Sequence, residues 1–345
     1  PGLLVKDLMA GDDAQIAKVV AILQSVRPDI LLINEFDYDA SGVALGLFRE
    51  ALQVGDAPLE LPHGFLAPTN TGEPSGVDLD GDGSALGPAD AFGYGRFPGQ
   101  YGMALLSRFP VAEEATATFQ NFLWKDLPEA LLPVDTNGAA FPSEAAHAIA
   151  RLSSKSHWDV AIDTPEGRLR IFASHPTPPV FDGPEDYNGR RNHDEIRFWQ
   201  LYLDGAELAS DGGQVRYDGA PFVILGDLNA DPKDGDGRLS AINALLTHPL
   251  VQDPRPASTG GVAAAEEQAG ANRRHLGPPA LDTADWNDAR GPGNLRVDYA
   301  LPARSLDVSD AGVFWPAPGA EGAALVDASD HRLVWVDIEM PRTGD

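Results

Sequence analysis

The feature that most restricts this chain is a repeated one: short apolar runs of strand length, several of them ending in a polar or acidic cluster. Ile30-Leu31-Leu32-Ile33 ends in Asn34-Glu35, Arg168–Ser174 runs into His175, and Pro221–Leu225 ends in Gly226-Asp227-Leu228-Asn229. Asp298 lies within the run Arg296–Leu301, and Ser329-Asp330-His331 stands just before the run Leu333–Met340. A continuous apolar run of this length suits a strand covered on both faces, so helices must flank it. One such helix is written directly before the first run. Between Asp12 and Arg27 the residues Ile16, Val19, Val20 and Leu23 recur at helical spacing, with acids at the start and Arg27-Pro28 at the end. A second helix is expected over Asn192–Leu208, with Asn192 as its cap and Glu195 in its first turn. Tyr101–Phe109 reads as a further strand, and Trp158–Asp163 with Arg168–Ser174 as a hairpin. Strand ends in a layered α/β protein open onto one edge, so clusters far apart in sequence converge there.

Hydrophobic residues make up 43% of the 345 positions, enough for a large core. No repeat or linker divides them, so one domain over residues 1–345 is expected. The 36 Gly and 29 Pro are enriched at about 55–100 and 253–293, which read as a long irregular insertion and a surface loop. With 25 basic against 52 acidic residues the formal charge is −27, which disfavours a nucleic-acid coat protein or a basic membrane-surface binder. Metal ions still offer such a chain a route to phosphate. The absence of Cys removes disulfides, thiolate nucleophiles, zinc–cysteine clusters and iron–sulfur sites. No apolar run approaches the ~20 residues of a membrane span. A monomer, secreted or periplasmic, is the expectation.

Converging Glu, Asp, Asn and His without thiolates suits a hard divalent ion such as Mg²⁺, Mn²⁺ or Ca²⁺. Five segments then fall in a telling order: Asn34-Glu35, Gly102–Pro110, Gly226-Asp227-Leu228-Asn229-Ala230-Asp231-Pro232, Arg296-Val297-Asp298-Tyr299 and Ser329-Asp330-His331. Together they resemble the endonuclease/exonuclease/phosphatase superfamily. The resemblance implies a four-layer α/β sandwich of two packed mixed β-sheets flanked by helices, and Mg²⁺- or Mn²⁺-dependent hydrolysis of a phosphate ester. It implies Glu35 as the principal metal ligand, Asp330 as a second acting directly or through water, and Asn34 as a further candidate. By the same resemblance Asp298 orients His331 for activating water, Asp227 positions the nucleophile or leaving group, and Asn229 donates to phosphoryl oxygens. His175 stands on the opposite flank. The family pattern begins with a strand carrying another ligand Asn, whereas only Gly2–Met9 precede the first helix here. That strand is therefore expected to belong to a longer natural chain.

Each site residue has a simpler alternative: Asp227 and Asn229 in a turn, Asp330 as a strand cap, Asp298 paired with Arg296, His175 in a turn before Pro176. The loop Asp78-Leu79-Asp80-Gly81-Asp82-Gly83-Ser84 resembles a Ca²⁺ loop through Asp78, Asp80 and Asp82, although Ala89 stands where its bidentate acid belongs. Asp234-Gly235-Asp236-Gly237 is shorter and reads equally well as a solvated loop. An anionic substrate also needs cations, and Arg96, Arg190, Arg191 and His193 are the candidates. Since basic residues are few and scattered, a small phosphomonoester or phosphodiester, or a lipid headgroup, is favoured over duplex DNA. The alternatives are a secreted deoxyribonuclease-like nuclease and a non-catalytic, calcium-stabilised binding module.

Overall fold

A computed structural model of the chain describes residues 1–340. It opens with α1 (Leu3–Ala10), α2 (Ala14–Val26), β1 (Ile30–Asn34), α3 (Val43–Leu52), β2 (His63–Phe65) and β3 (Met103–Ser107). The middle of the chain forms β4 (Ala117–Thr118), α4 (Glu144–Ile149), β5 (His157–Thr164), β6 (Gly167–Ser174), α5 (Tyr187–Leu203), β7 (Leu208–Ser210), β8 (Gly213–Val215) and β9 (Phe222–Asp227). The last third adds α6 (Leu239–Leu246), α7 (Thr259–Glu267), β10 (Ala284–Asp285), β11 (Asn294–Leu295), β12 (Asp298–Pro302), β13 (Asp307–Val313) and β14 (Val334–Glu339).

Two principal sheets carry the architecture. One runs β12-β9-β6-β5-β4, with β6 and β9 parallel and the other pairs antiparallel; the other runs β1-β3-β2, and β13-β14 forms a separate hairpin. Side-chain alternation along β3 explains how the layers join. Met103 and Leu105 share a core with Trp158, Val160, Ile171 and Val223 of the larger sheet, whereas Ala104 and Leu106 turn to a second core with Leu8, Leu23 and Phe48 from the helices. Outside the larger sheet, α5 lays Phe198, Trp199 and Tyr202 against Phe119 and Phe172. Removing one of these fully buried rings costs about 3–5 kcal/mol.

The α2 helix forms where its spacing predicts, and Asp13 caps it by accepting from the Ile16 N–H at 2.8 Å. The hairpin at 157–174 also forms, in continuous register from His157↔Ser174 to Thr164↔Gly167. Three expectations need correction. The second long helix begins at Tyr187, not Asn192, so Asn192 and Glu195 lie inside it and buried. They act there as clamps: Asn192 Nδ2 donates to the Thr177 and Leu228 carbonyls, while the Glu195 carboxylate accepts from the Ser154 and Thr177 N–H groups. Residues 253–293 are not merely a surface loop, because Leu281, Asp282, Thr283 and Ala284 are buried and β10 lies within them. The insertion at 55–100 is mostly irregular, yet His63–Phe65 adds a strand to the smaller sheet, and Phe65 meets Trp158 edge-on at 5.1 Å.

Among the described residues β1 pairs with β3 alone and β14 with β13 alone. Their remaining edges face a cleft of about 1800 Å³ lined by Leu32, Ile33, Val336 and Ile338 in its apolar part. Glu35, His175, Asp227, Asp298, Asp330 and His331 line the same cleft.

Candidate active site

Three neighbouring strands deliver the centre of the site. His175 follows the end of β6, Asp227 ends β9 and Asp298 begins β12, so parallel and antiparallel pairing bring all three to one sheet edge. Gly226 is required just before Asp227. Its φ is +157° and a Cβ there would lie 1.9 Å from the Ser174 carbonyl oxygen, so the close approach of β9 to β6 admits no side chain.

Pairing sets Asp227 directly opposite Asp298. Two facing carboxylates repel, and the His331 imidazole answers both. Its Nδ1 lies 2.9 Å from Asp298 Oδ2 and its Nε2 3.8 Å from Asp227 Oδ2. Burial opposes the imidazolium, but Asp298 foremost, then Asp227 and Asp330, carry its pKa up to about 10. Asp298 is steadied by the Thr283 hydroxyl, which donates to Oδ2 at 2.8 Å. The edge of Trp286 packs 5.3 Å from the His331 ring, and its Nε1 donates to Asp330 Oδ2 at 3.0 Å.

On the other flank His175 Nε2 lies 3.3 Å from Asp227 Oδ2, and its Nδ1 is buried without a partner. Burial first, and then the Lys155 charge, push the His175 pKa down. Burial works against the Asp227 carboxylate too, yet the hydrogen bond and charge of His175, followed by His331, hold its pKa below the ordinary value. Asn229 turns left-handed at φ 49°, and its N–H donates to Asp227 Oδ1 at 2.8 Å. Its side-chain Nδ2 donates to the Pro176 carbonyl at 3.0 Å, so one of its two amide protons is already used. The turn alternative and the functional one are thus both present in the same geometry.

Glu35 follows the end of β1 in the left-handed region at φ 57°, exposed, and accepts no hydrogen bond from the described residues. Asn34 Oδ1 beside it is buried and unpartnered. Asp330 is exposed just ahead of β14. A free carboxylate, an orphaned amide oxygen and a second carboxylate on one cleft form an oxygen donor set that fits a hard divalent cation. Asp227, Asp298 and His331 also lie close enough together to contact one ion. The proposed pairing of Asp298 with Arg296 is absent, since Arg296 binds Asp253 at 2.5 and 2.8 Å.

Asp78, Asp80 and Asp82 are brought together as well. Asp78 accepts from the Gly81 and Gly83 N–H groups, Asp80 from Asp82 and Asp82 from Ser84. The loop thus closes on its own amides. Sequence reasoning missed Thr283 and Trp286, single polar residues with no local pattern to mark them.

A family profile described as the Endonuclease/Exonuclease/phosphatase family matches residues 8–331. No curated protein sequence matches the chain. Among solved structures, an endonuclease/exonuclease/phosphatase from Beutenbergia cavernae is 16% identical, covers 95% of this chain and 67% of its own, and has a TM-score of 0.52. A family protein from Leptotrichia buccalis is 14% identical, with 94% and 93% covered and a TM-score of 0.50. A mannosyl-6-phosphatase from Bacteroides thetaiotaomicron is 13% identical, with 97% and 95% covered and a TM-score of 0.47.

Proposed function

The chain belongs to the endonuclease/exonuclease/phosphatase family, whose members are metal-dependent phosphoric ester hydrolases, and from that premise we propose that it hydrolyses a small phosphomonoester or phosphodiester, or a lipid headgroup. The observation that carries this reading is the Asp227–His331–Asp298 arrangement meeting the free carboxylate of Glu35 in one cleft. Glu35 and Asp330, with Asn34 Oδ1, would hold Mg²⁺ or Mn²⁺. When bound, the ion offsets charge on the phosphoryl oxygens and on the carboxylates around His331. Asp298 fixes the ring through Nδ1, which leaves Nε2 as the atom that moves a proton between water and the ester. Asp227, held between His175 and His331, orients the attacking water opposite the leaving oxygen. The second amide proton of Asn229 donates to a phosphoryl oxygen, while His175 Nε2 stays on Asp227.

The net charge of −27 supports a compact substrate over duplex DNA, because a phosphate backbone meets repulsion over many charges at once. Purified protein with Mn²⁺ is to be assayed on nitrophenyl phosphate, bis-nitrophenyl phosphate, sphingomyelin and plasmid DNA, beside His331→Ala. Turnover of a small ester or lipid, lost in the variant, is expected. Faster plasmid nicking would favour the nuclease alternative, and no turnover on any substrate would favour the binding module. The open edges of β1 and β14 leave room for one further strand, and we propose that one lies there in the working enzyme. Hydrogen exchange tests it: amides of Leu32 and Val336 as protected as that of Ile171 in this chain would contradict it.

A further inference from the structure

The acidic cleft needs cations, and the four basic side chains singled out from the sequence are engaged or remote. Arg191 donates to the carbonyls of Leu152, Phe92, Arg151 and Ser153, and Arg190 to that of Glu185. His193 Nδ1 lies 3.0 Å from Asp194, and Arg96 is exposed on the insertion, away from the cleft wall. Four other arginines line the cleft itself. Two of them are spent: Arg27 donates to the Ala57 and Pro58 carbonyls, and Arg332 holds Asp285 at 3.0 Å while its guanidinium lies over the Trp315 ring. Arg274 and Arg290 are not. Both are exposed, and among the described residues no carboxylate lies within 4.0 Å of either guanidinium. The single protein bond that either guanidinium makes there is a long one, 3.4 Å from Arg274 Nη1 to the Gly270 carbonyl.

These two arginines ride on one body that is sewn to the catalytic residues. Arg290 stands in the turn 286–293 between β10 and β11, whose first residue, Trp286, packs on His331. The stem of that turn is fixed to the segment 330–332: the Asp285 N–H donates to the Asp330 carbonyl at 2.8 Å, and the Arg332 N–H to that of Thr283 at 2.7 Å. Arg274 ends a single helical turn, Asn272–Arg274, that is pressed against the same hairpin. There the Ala271 N–H donates to the Asp288 carbonyl at 2.8 Å, and the Asn294 N–H to Asn272 Oδ1 at 2.7 Å. Gly270, at φ 52°, permits the close approach, since a Cβ would lie 1.9 Å from the Asp288 carbonyl oxygen. Of the acids on the neighbouring loop, Asp234 is spent on the Leu276 and Gly277 N–H groups, and Asp236 stays more than 4.0 Å from both guanidiniums. A guanidinium offers a planar fork of donors that matches phosphate or carboxylate oxygens, so a pair left open on this wall is fitted to an anion.

We propose that Arg274 and Arg290 form a second anion subsite at the mouth of the cleft, and that the substrate is a phosphoester carrying a further phosphate or carboxylate beyond the scissile group. The proposal rests on the phosphoester reading for the first group and narrows its substrate class. It also explains how a chain of net charge −27 admits a polyanion: the added charge falls on the one wall that carries free guanidiniums.

Phosphonates, which an ester hydrolase cannot cleave, test binding apart from turnover. Propyl-, butyl- and hexylphosphonate are titrated calorimetrically into the Mn²⁺-loaded protein, each beside its α,ω-bisphosphonate, so that the spacing of the two anions is varied. At least one bisphosphonate is expected to bind about tenfold tighter than its monophosphonate. The double change Arg274→Gln, Arg290→Gln is expected to cut that advantage to within about twofold while monophosphonate affinity also stays within about twofold of the parent protein. Both side chains are exposed, so the variant is expected to fold as the parent does. No bisphosphonate preference in the parent protein, or a preference that survives the double change, overturns the inference. Equal weakening of mono- and bisphosphonates overturns it too, because the arginines then serve the scissile group. Ester hydrolysis without the preference removes the subsite and leaves the hydrolase, whereas the preference in a protein that hydrolyses no ester removes the hydrolase and leaves the subsite.

Discussion

Two acidic clusters in this molecule lie at opposite extremes of the same chemistry. In the cleft, Asp227 and Asp298 are buried or partly buried and contacted by imidazoles at 3.3 and 2.9 Å. On the insertion, Asp78, Asp80 and Asp82 are answered by their own backbone N–H groups, with no basic side chain among their partners. The first arrangement is assembled by three strands and two loops from residues 175 to 331, and it exists only when the whole fold exists. The second is made within seven residues and exists as soon as the turn does. Buried charge held by distant partners is expensive to maintain, and such expense is found where chemistry requires it. An exposed loop carries its charge in water at little cost.

The largest expected effect follows from that contrast. His331→Ala or Asp298→Asn is predicted to lower kcat/KM by about 10²–10⁴ with Mn²⁺, the range spanned by a positioned acid–base group. The triple change Asp78→Asn, Asp80→Asn, Asp82→Asn is predicted to leave kcat/KM within about twofold. Comparable losses from both sets would erase the distinction.

Asp282 sharpens it from another side, as a buried acid with no ion-pair partner among the described residues. Burial, followed by the charges of Asp231 and Asp234, pushes its pKa up to about 8. A carboxyl whose folded pKa exceeds its unfolded value adds stability below pH ~4 and loses it as pH rises towards 8, by as much as about 5 kcal/mol. Asp282→Asn should therefore be the more stable protein at pH 8 and lose that advantage near pH 4, as denaturant unfolding at the two values would show. A constant difference between the two would place the strain elsewhere.

His157 behaves in the opposite sense. Burial drives its pKa down to about 4, with only the Glu195 carbonyl opposing. Its unfolded form takes up a proton near pH 6.5 and the folded form does not, so stability present above 6.5 falls as pH drops towards 4, by about 3 kcal/mol. Unfolding curves across that window should be steeper in pH for the parent protein than for His157→Gln. Parallel curves would contradict the assignment. The smallest effect belongs to the loop, where Asp80→Asn relieves repulsion from Asp82, Asp90 and Asp78 and should shift stability by less than about 1 kcal/mol.

The strands and their acidic ends were legible because both halves of the signal are local: Ile30–Ile33 and Glu35, or Phe222–Leu225 and Asp227, stand within six residues of one another. The convergence of these ends was legible only through order along the chain. Thr283 and Trp286 escaped because each is an isolated polar residue whose partner lies 15 and 44 residues away. Asn192 misled for a related reason. Asn followed three residues later by Glu has the appearance of a capping box, yet the helix had already begun at Tyr187 and both side chains serve distant loops.

Chelation and restoration test the central claim most directly. Protein stripped by EDTA and dialysed free of chelator is assayed on bis-nitrophenyl phosphate with and without Mn²⁺, beside Glu35→Gln. The predicted result is a silent stripped protein, turnover restored by Mn²⁺ in the parent chain, and at least a hundredfold less restoration in Glu35→Gln. Turnover that survives stripping, or that Mn²⁺ restores equally in Glu35→Gln, would contradict a metal-dependent hydrolase built on this cleft.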